Sequence, residues 1–352
     1  MKTNNIYFSK HYTHRILFLI FTCLLFGTYS CSSKKESYLE GNQTTVRINL
    51  SGTSFNTNKN LTSSSNKFKT ENLKQTIVPF SDSLQMEVAV LPHNSMGNKP
   101  VLASSSKMAA TISNSPLAAG VKYAVLVYDE AGSFVMEKTL AQGDAGDALN
   151  LVLDAGQSYT FIAISTDSNT DVPVVSNKAS LATASLNQIS ADLMYFKTTM
   201  TLTHGLNNLN VILRHMFSEI DVTLELKDNV NGTFEGISNF GLSPVQESAN
   251  LKLSDGTLTY NASSNGQPAY FTFNNESSLG LRTIKSDKAI TVISPLINNA
   301  QFTYDIRISG GISETGKVST EIPILPGQKY AVVVRIGKIS ITIDPPEQDD
   351  EW

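Results

Sequence analysis

Charge is scarce in this chain of 352 residues: Asp, Glu, Lys and Arg make up 16% of it, against about a quarter in an ordinary soluble domain. Basic residues are also the minority, 27 against 31 acidic ones. No Lys/Arg-rich stretch stands out, so the positive footprint that a phosphate backbone demands is missing. No nucleic acid partner is expected. Two cysteines exclude a disulfide-built scaffold. The single tryptophan, Trp352, leaves no aromatic platform for stacking sugars. Glycine (21) and proline (12) are too few for a collagen-like or low-complexity chain. The 41% hydrophobic content with a formal charge of only −4 excludes disorder. The length suggests about two domains of roughly 150 residues.

Ile16–Phe26 is apolar but for Thr22, yet a membrane-spanning helix needs about twenty such residues. The run follows a lead carrying Lys2, Lys10 and Arg15 and no acid, which is the build of a secretory signal peptide. Gly27-Thr28-Tyr29-Ser30-Cys31 closes it and resembles a bacterial lipobox, whose cysteine is acylated and becomes the new N-terminus. Thr28 and Tyr29 depart from the commonest form of that motif. An ordinary secreted protein with Cys31 as a free thiol is the alternative. Removing residues 1–30 takes Lys+Arg from 27 to 24 against 31 acids, and the formal charge from −4 to −7. Cys23 leaves as well, so no internal disulfide is open to the mature chain. A chain exported and tethered by a lipid on Cys31 is the expectation.

Catalytic chemistry has little to stand on. The mature chain keeps His93, His204 and His215, without acids or cysteines at metal-ligand spacing, so no metal is expected. No nucleophile elbow, Walker loop or dinucleotide fingerprint is present, and no cofactor is expected. Paired carboxylates could meet only in the fold. The acids sit mostly in turns and in the terminal group Asp344, Glu347, Asp349, Asp350 and Glu351, which reads as a solvated end. The chain is expected not to be an enzyme.

What is present is alternation. Val46-Ile48-Leu50, Leu84-Met86-Val88-Val90, Ile220-Val222-Leu224-Leu226, Phe302-Tyr304-Ile306-Ile308 and Ile339-Ile341-Ile343 all repeat with period two. The interleaved run at 123–128, and a similar one at 159–164, predict strands buried on both faces. Leu251 to Tyr260 predicts a hairpin about Asp255-Gly256 with a tight primed turn, and Asp129 to Gly132 a looser one. Leu206–Phe217 is the best helical candidate, yet it lacks a clean stripe and leaves a strand open. Residues 51–76, rich in Ser, Thr, Asn and Lys, predict a long exposed loop. Leu117-x-x-Gly120-x-x-Tyr123, Leu153-x-x-Gly156-x-x-Tyr159 and Ile324-x-x-Gly327-x-x-Tyr330 share one spacing ahead of an apolar strand. Glycine lets the chain reverse there, and tyrosine enters the strand with its ring inward, like a tyrosine corner. The class is all-β. The expected order is a leader (1–30), a lipidated tether (31–45), sandwiches over 46–203 and 204–344, and an acidic tail (345–352).

These features in this order resemble the fimbrillin family of Bacteroidota lipoproteins. The resemblance rests on Cys31, Val46 to Gly52, Tyr123 to Phe134, Leu153 to Ser165, Asp192 to Tyr195, Arg214 to Ser218 and Ile324 to Val334. It covers nearly the whole chain with diffuse motifs. It implies two tandem transthyretin-like β-sandwich domains and, for true subunits, proteolytic removal of the first strand, whose groove a neighbour's strand then fills. Val46-Ile48-Leu50 is the candidate removed strand, and Arg47, Lys59, Lys67, Lys69 and Lys74 are candidate cut sites. Ile339, Ile341 and Ile343 are candidate donor plugs, with completion of their own domain as the alternative. Partners would be other fimbrial subunits or self, the outer membrane, and a host protein or glycan. Asp82-Ser83-Leu84 fits a Bacteroidota O-glycosylation pattern, which makes Ser83 a candidate acceptor. The function so implied is a structural or adhesive fimbrial subunit; the alternative is a non-polymerising lipoprotein that binds a glycan or host protein.

Overall fold

The computed structural model describes residues 42–56, 75–92, 114–262, 266–273, 280–297, 300–320 and 323–339. Apart from one 3₁₀ turn at Gly146–Leu149, the regular structure of these residues is strand. The largest sheet has seven strands, in the spatial order β5 (Phe134–Ala141), β4 (Lys122–Tyr128), β7 (Ser158–Ser165), β9 (Met194–Thr201), β10 (Leu206–His215), β1 (Gln43–Ser54) and β6 (Asn150–Asp154). A second sheet runs β16 (Thr283–Lys285), β11 (Ser218–Leu226), β20 (Lys329–Lys338), β3 (Leu84–Pro92) and β2 (Gln75–Pro79), with β17 (Ala289–Thr291) also on β11. A third holds β15 (Ala269–Tyr270), β12 (Phe234–Ser243), β18 (Gln301–Ile308) and β19 (Ile312–Ser319). The smallest holds β14 (Leu258–Ala262), β13 (Gln246–Lys252) and β8 (Ser185–Ile189).

Three apolar cores follow from the alternation. One lies between the second and third sheets, where Met86, Val222 and Val334 meet Phe240, Phe302 and Ile306. The seven-stranded sheet encloses another within its own curvature, because strands from both of its ends (Val125 and Leu140, Val46 and Leu151) share one cluster. Lys138 on edge strand β5 donates to the Asn150 carbonyl on edge strand β6 at 2.8 Å, which holds the two edges together. The third core packs Leu126, Tyr128, Ile162 and Ile164 against Leu186 and Leu251 of the small sheet. Strands β4 and β7 thus lie between two cores, which is why their side chains are apolar on both faces. The all-β class and the β-sandwich build are both present.

The repeated corner behaves alike in all three copies. Gly120, Gly156 and Gly327 take φ of 82°, 78° and 71°, and Tyr123, Tyr159 and Tyr330 enter their strands buried. The Tyr330 hydroxyl accepts from the Leu325 amide at 2.9 Å, tying the corner to its strand. Burial, with a smaller contribution from the Asp144 carboxylate, pushes the Tyr123 hydroxyl up to about 12, so this ring is packing material.

Several expectations change in detail. Leu206–His215 takes the strand alternative that its pattern left open. The Asp255-Gly256 hairpin forms, but Leu251 pairs with Leu258 across a wider loop in which only Gly256 has positive φ (76°). The Asp255 carboxylate accepts from the Thr257 amide at 2.9 Å and stabilises that wider turn. Strand β1 begins at Gln43, inside the range expected to be tether, and reaches Ser54, inside the expected loop. Sheet membership interleaves across residues 203–204 instead of dividing there: β3 sits between β20 and β2, while β10 lies beside β1 and β9. The described residues from Thr44 onward form one compact unit.

The connection from β11 to β12 is held by one cation. The Arg282 guanidinium donates to the carbonyls of Val230 (2.8 Å), Gly232 (3.0 Å), Leu226 (3.3 Å) and Lys227 (2.8 Å). A lysine has no planar fork to repeat this pattern. Charge-assisted bonds are worth about 1.5–3 kcal/mol each before partial rehydration of the freed carbonyls. Urea unfolding of Arg282→Ala should show a loss of about 2–3 kcal/mol, with Arg282→Lys recovering less than half of it.

Candidate functional site: the first strand and its groove

Strand β1 is far in sequence from what it pairs with. It runs parallel to β10, with Val46 opposite Asn207, Ile48 opposite Leu209 and Leu50 opposite Val211, and its other side is closed by β6. Alternation sends Val46 and Ile48 fully into the core of the seven-stranded sheet, with Leu50 packed at its margin. Arg47 and Asn49 face outward, where Asn49 donates to Asn208 and Asn210, each at 3.2 Å. Lifting β1 out would open a channel between β10, which stays paired with β9 at Arg214 and His215, and edge strand β6, whose remaining tie is the Lys138–Asn150 bond.

Each end of β1 is fastened by contacts outside the ladder. At the start, the buried Thr44 hydroxyl donates to the Thr203 carbonyl at 2.8 Å and is also bonded to the Gly205 carbonyl. It accepts from the Asn207 amide at 3.0 Å. Asn207 is braced in turn by the Thr203 amide (3.1 Å) and hydroxyl (3.2 Å). Past the far end, Phe55 stacks flat on His215, with centroids 3.8 Å apart and planes within 2°. His215 Nδ1 lies 2.9 Å from Asp192 Oδ1, and both side chains are almost buried. Lys329 sits 5.9 Å above the Phe55 ring and pairs with Glu219 at 2.5 Å. The Asn56 amide donates to the Gly327 carbonyl at 2.7 Å.

The candidate residues fare differently. Arg47 is exposed but lies in mid-strand opposite Asn208 of β10, a poor substrate for a protease that needs an extended, free segment. Ser83 is exposed in the turn between β2 and β3, and its carbonyl accepts from the Ile339 amide at 3.2 Å. Ile339 lies just past β20 and is 42% exposed. Cys31, Lys59, Lys67, Lys69, Lys74, Ile341, Ile343 and His93 lie outside the described residues, as do the leader and the acidic tail. His204 is exposed and His215 is a packed, paired side chain. Among the described residues no group of three or more His, Cys, Asp or Glu could hold a metal. The sequence reading missed the Thr44–Asn207 and Phe55–His215 fastenings. The one available signal was polar or aromatic residues placed just outside the alternating triplet.

Among solved structures, the chain is similar to a candidate cell adhesion protein from Bacteroides fragilis (12% identity, 85% of this chain and 99% of that one, TM-score 0.43). It is also similar to a candidate cell adhesion protein from Bacteroides uniformis (12% identity, 63% and 91%, TM-score 0.44). A fimbrial assembly protein from Parabacteroides distasonis shares 11% identity over 60% of this chain and 82% of its own, with TM-score 0.32. No curated protein sequence matches. A family model for fimbrillin-like proteins matches residues 137–346, from within β5 to beyond β20.

Proposed function

Because the chain belongs to the fimbrillin-like family, we propose that it is a lipid-anchored cell-surface subunit, structural or adhesive, of a fimbria assembled by strand exchange. The observation that carries this reading is β1 itself. It is one strand with apolar side chains buried in a channel between β10 and β6, and it is joined to the rest of the chain through the lysine-bearing segment 57–74. A cut at Lys59, Lys67, Lys69 or Lys74 would free it, whereas Arg47 is protected by its ladder. A neighbour's strand would then enter by main-chain pairing with aliphatic plugs. Ile339, Ile341 and Ile343 would supply about 5–9 kcal/mol of gross burial as such plugs, before ordering costs. Cys31 would carry the acyl chains that hold the protein at the outer membrane, and Ser83 presents an exposed hydroxyl for a glycan.

The test starts from mature protein cut within 57–74. Mixed with cell extracts that supply the other subunits, it should yield SDS-resistant ladders and filaments under the electron microscope, and Ile341→Asp should abolish them. Mass spectrometry of the native protein should find acyl groups on Cys31 and a hexose-bearing Ser83. Absence of ladders and filaments, with no effect of Ile341→Asp in cells, would end the polymerising version.

One observation favours a second reading. Strand β20 is paired on both sides, with β11 and β3, so the C-terminal strand up to Lys338 already completes its own sheet. In that reading the protein is a non-polymerising surface lipoprotein that captures a host protein or glycan. Tight binding by the uncut monomer on a glycan array or in a pull-down would favour it.

A further inference from the structure

Building on the strand-exchange reading above, we propose that the Thr203–Asn207 turn is a register lock, which selects a strand with a hydroxyl two residues ahead of its first buried aliphatic and so selects a strand of another subunit over this chain's own C-terminal ribbon. The ladder alone sets register weakly. Val46, Ile48 and Leu50 are interchangeable in kind, and a slip by two residues keeps the same face inward. What such a slip disturbs is the slot at Thr44. That residue is fully buried, and its hydroxyl both donates to the turn carbonyls and accepts from the Asn207 amide. Asn207 is itself 8% exposed and cannot turn away, because its carbonyl oxygen holds Thr203. Moving Val46 into the slot would set a methyl group against an amide N–H and leave the Gly205 carbonyl with less than its partners, and buried polar groups left so are costly.

Serine or threonine meets both demands with one atom. The chain's own C-terminal ribbon does not: with Ile339, Ile341 and Ile343 in the places of Val46, Ile48 and Leu50, Gly337 falls in the slot. A slip by two brings Ile339 there instead. The occupant that fits is a strand of the form Ser/Thr-x-aliphatic-x-aliphatic-x-aliphatic supplied by another subunit.

The test uses the full mature chain with a specific protease site placed within 57–74, cut, and titrated with labelled peptides. A peptide of residues 43–56 and its Thr44→Ser form should bind within about threefold of each other. The Thr44→Val form and a peptide of residues 335–346 should each bind at least tenfold more weakly, the order expected for one buried unmet hydrogen-bonding group. Equal binding by either of these would overturn the lock. Failure of every peptide to bind would instead sink strand replacement, and the lock would then be judged in the uncut chain. There, in a Cys31→Ser background, Asn49→Cys with Asn210→Cys should cross-link. Adding Thr44→Val should move the cross-link to Arg47→Cys or Ser51→Cys paired with Asn210→Cys. A cross-link that stays at 49–210 would overturn the lock.

Discussion

Ile48→Asp should cost the protein more than 4 kcal/mol and release β1 from its sheet. Ile48 is fully buried, flanked in the same core by Val46, Leu151 and Leu209. Truncation to alanine at such a site removes transfer free energy and leaves a cavity, worth about 2–5 kcal/mol. An aspartate adds the desolvation of a carboxylate with no cation facing it in the cluster, which raises the loss beyond the usual range for a single substitution. Arg47→Asp, one residue away on the exposed face, should stay within about 0.5 kcal/mol. Hydrogen exchange locates the damage. Amides of β10 and β6 should lose protection while those of β18 and β20, whose core is built around Phe240 and Phe302, should keep theirs. Loss of protection in β20 to the same extent would mean that the two cores fold only together. On the strand-exchange proposal, this variant would expose the groove without a cut.

The local half of this architecture was legible. Period-two alternation named the strands, and the apolar run at 123–128 announced burial on both faces, since each side feeds a different core. The Gly-x-x-Tyr corners were legible too, because they are short-range devices: a left-handed glycine and a tyrosine three residues on. Pairing was another matter. Nothing in Leu84–Pro92 distinguishes a neighbour of β20 from a neighbour of β1, since both sheets ask for the same alternating aliphatics. The interleaving across residues 203–204 was therefore invisible. Leu206–His215 was open between helix and strand for a local reason: Asn207, Asn208 and Asn210 dilute its pattern. Asn207 points inward to hold Thr44, an inward polar residue that alternation counts against a strand. The site's fastenings join residues far apart in sequence, Thr44 to Asn207 and Phe55 to His215, and no local spacing encodes such contacts.

Gly327→Ala should destabilise by about 3 kcal/mol, whereas Gly156→Ala, in the same motif, should lose only about 1. Both glycines sit in the left-handed region, at φ of 71° and 78°, where a Cβ costs on the order of 1–2 kcal/mol. Their surroundings differ. A Cβ at Gly156 meets nothing within 4 Å, while one at Gly327 would lie 2.5 Å from Asn56 Nδ2 and 2.9 Å from the His215 carbonyl oxygen. The asparagine side chain can swing aside. The carbonyl cannot, because His215 is fixed by its pairing with Asp192 and its stack on Phe55. The excess at Gly327 is therefore the strain of moving the chain that leaves β1, and it should break the 2.7 Å bond from the Asn56 amide to Gly327. Paired urea melts of the two variants give the difference, and hydrogen exchange at Phe55 and Asn56 should rise in Gly327→Ala alone. Equal melts would show that Gly327 is only a turn residue and that β1 is held by its ladder and its Thr44 end. A selective rise would place the exit of β1 under the control of the corner that starts β20, coupling the first strand to the last described one.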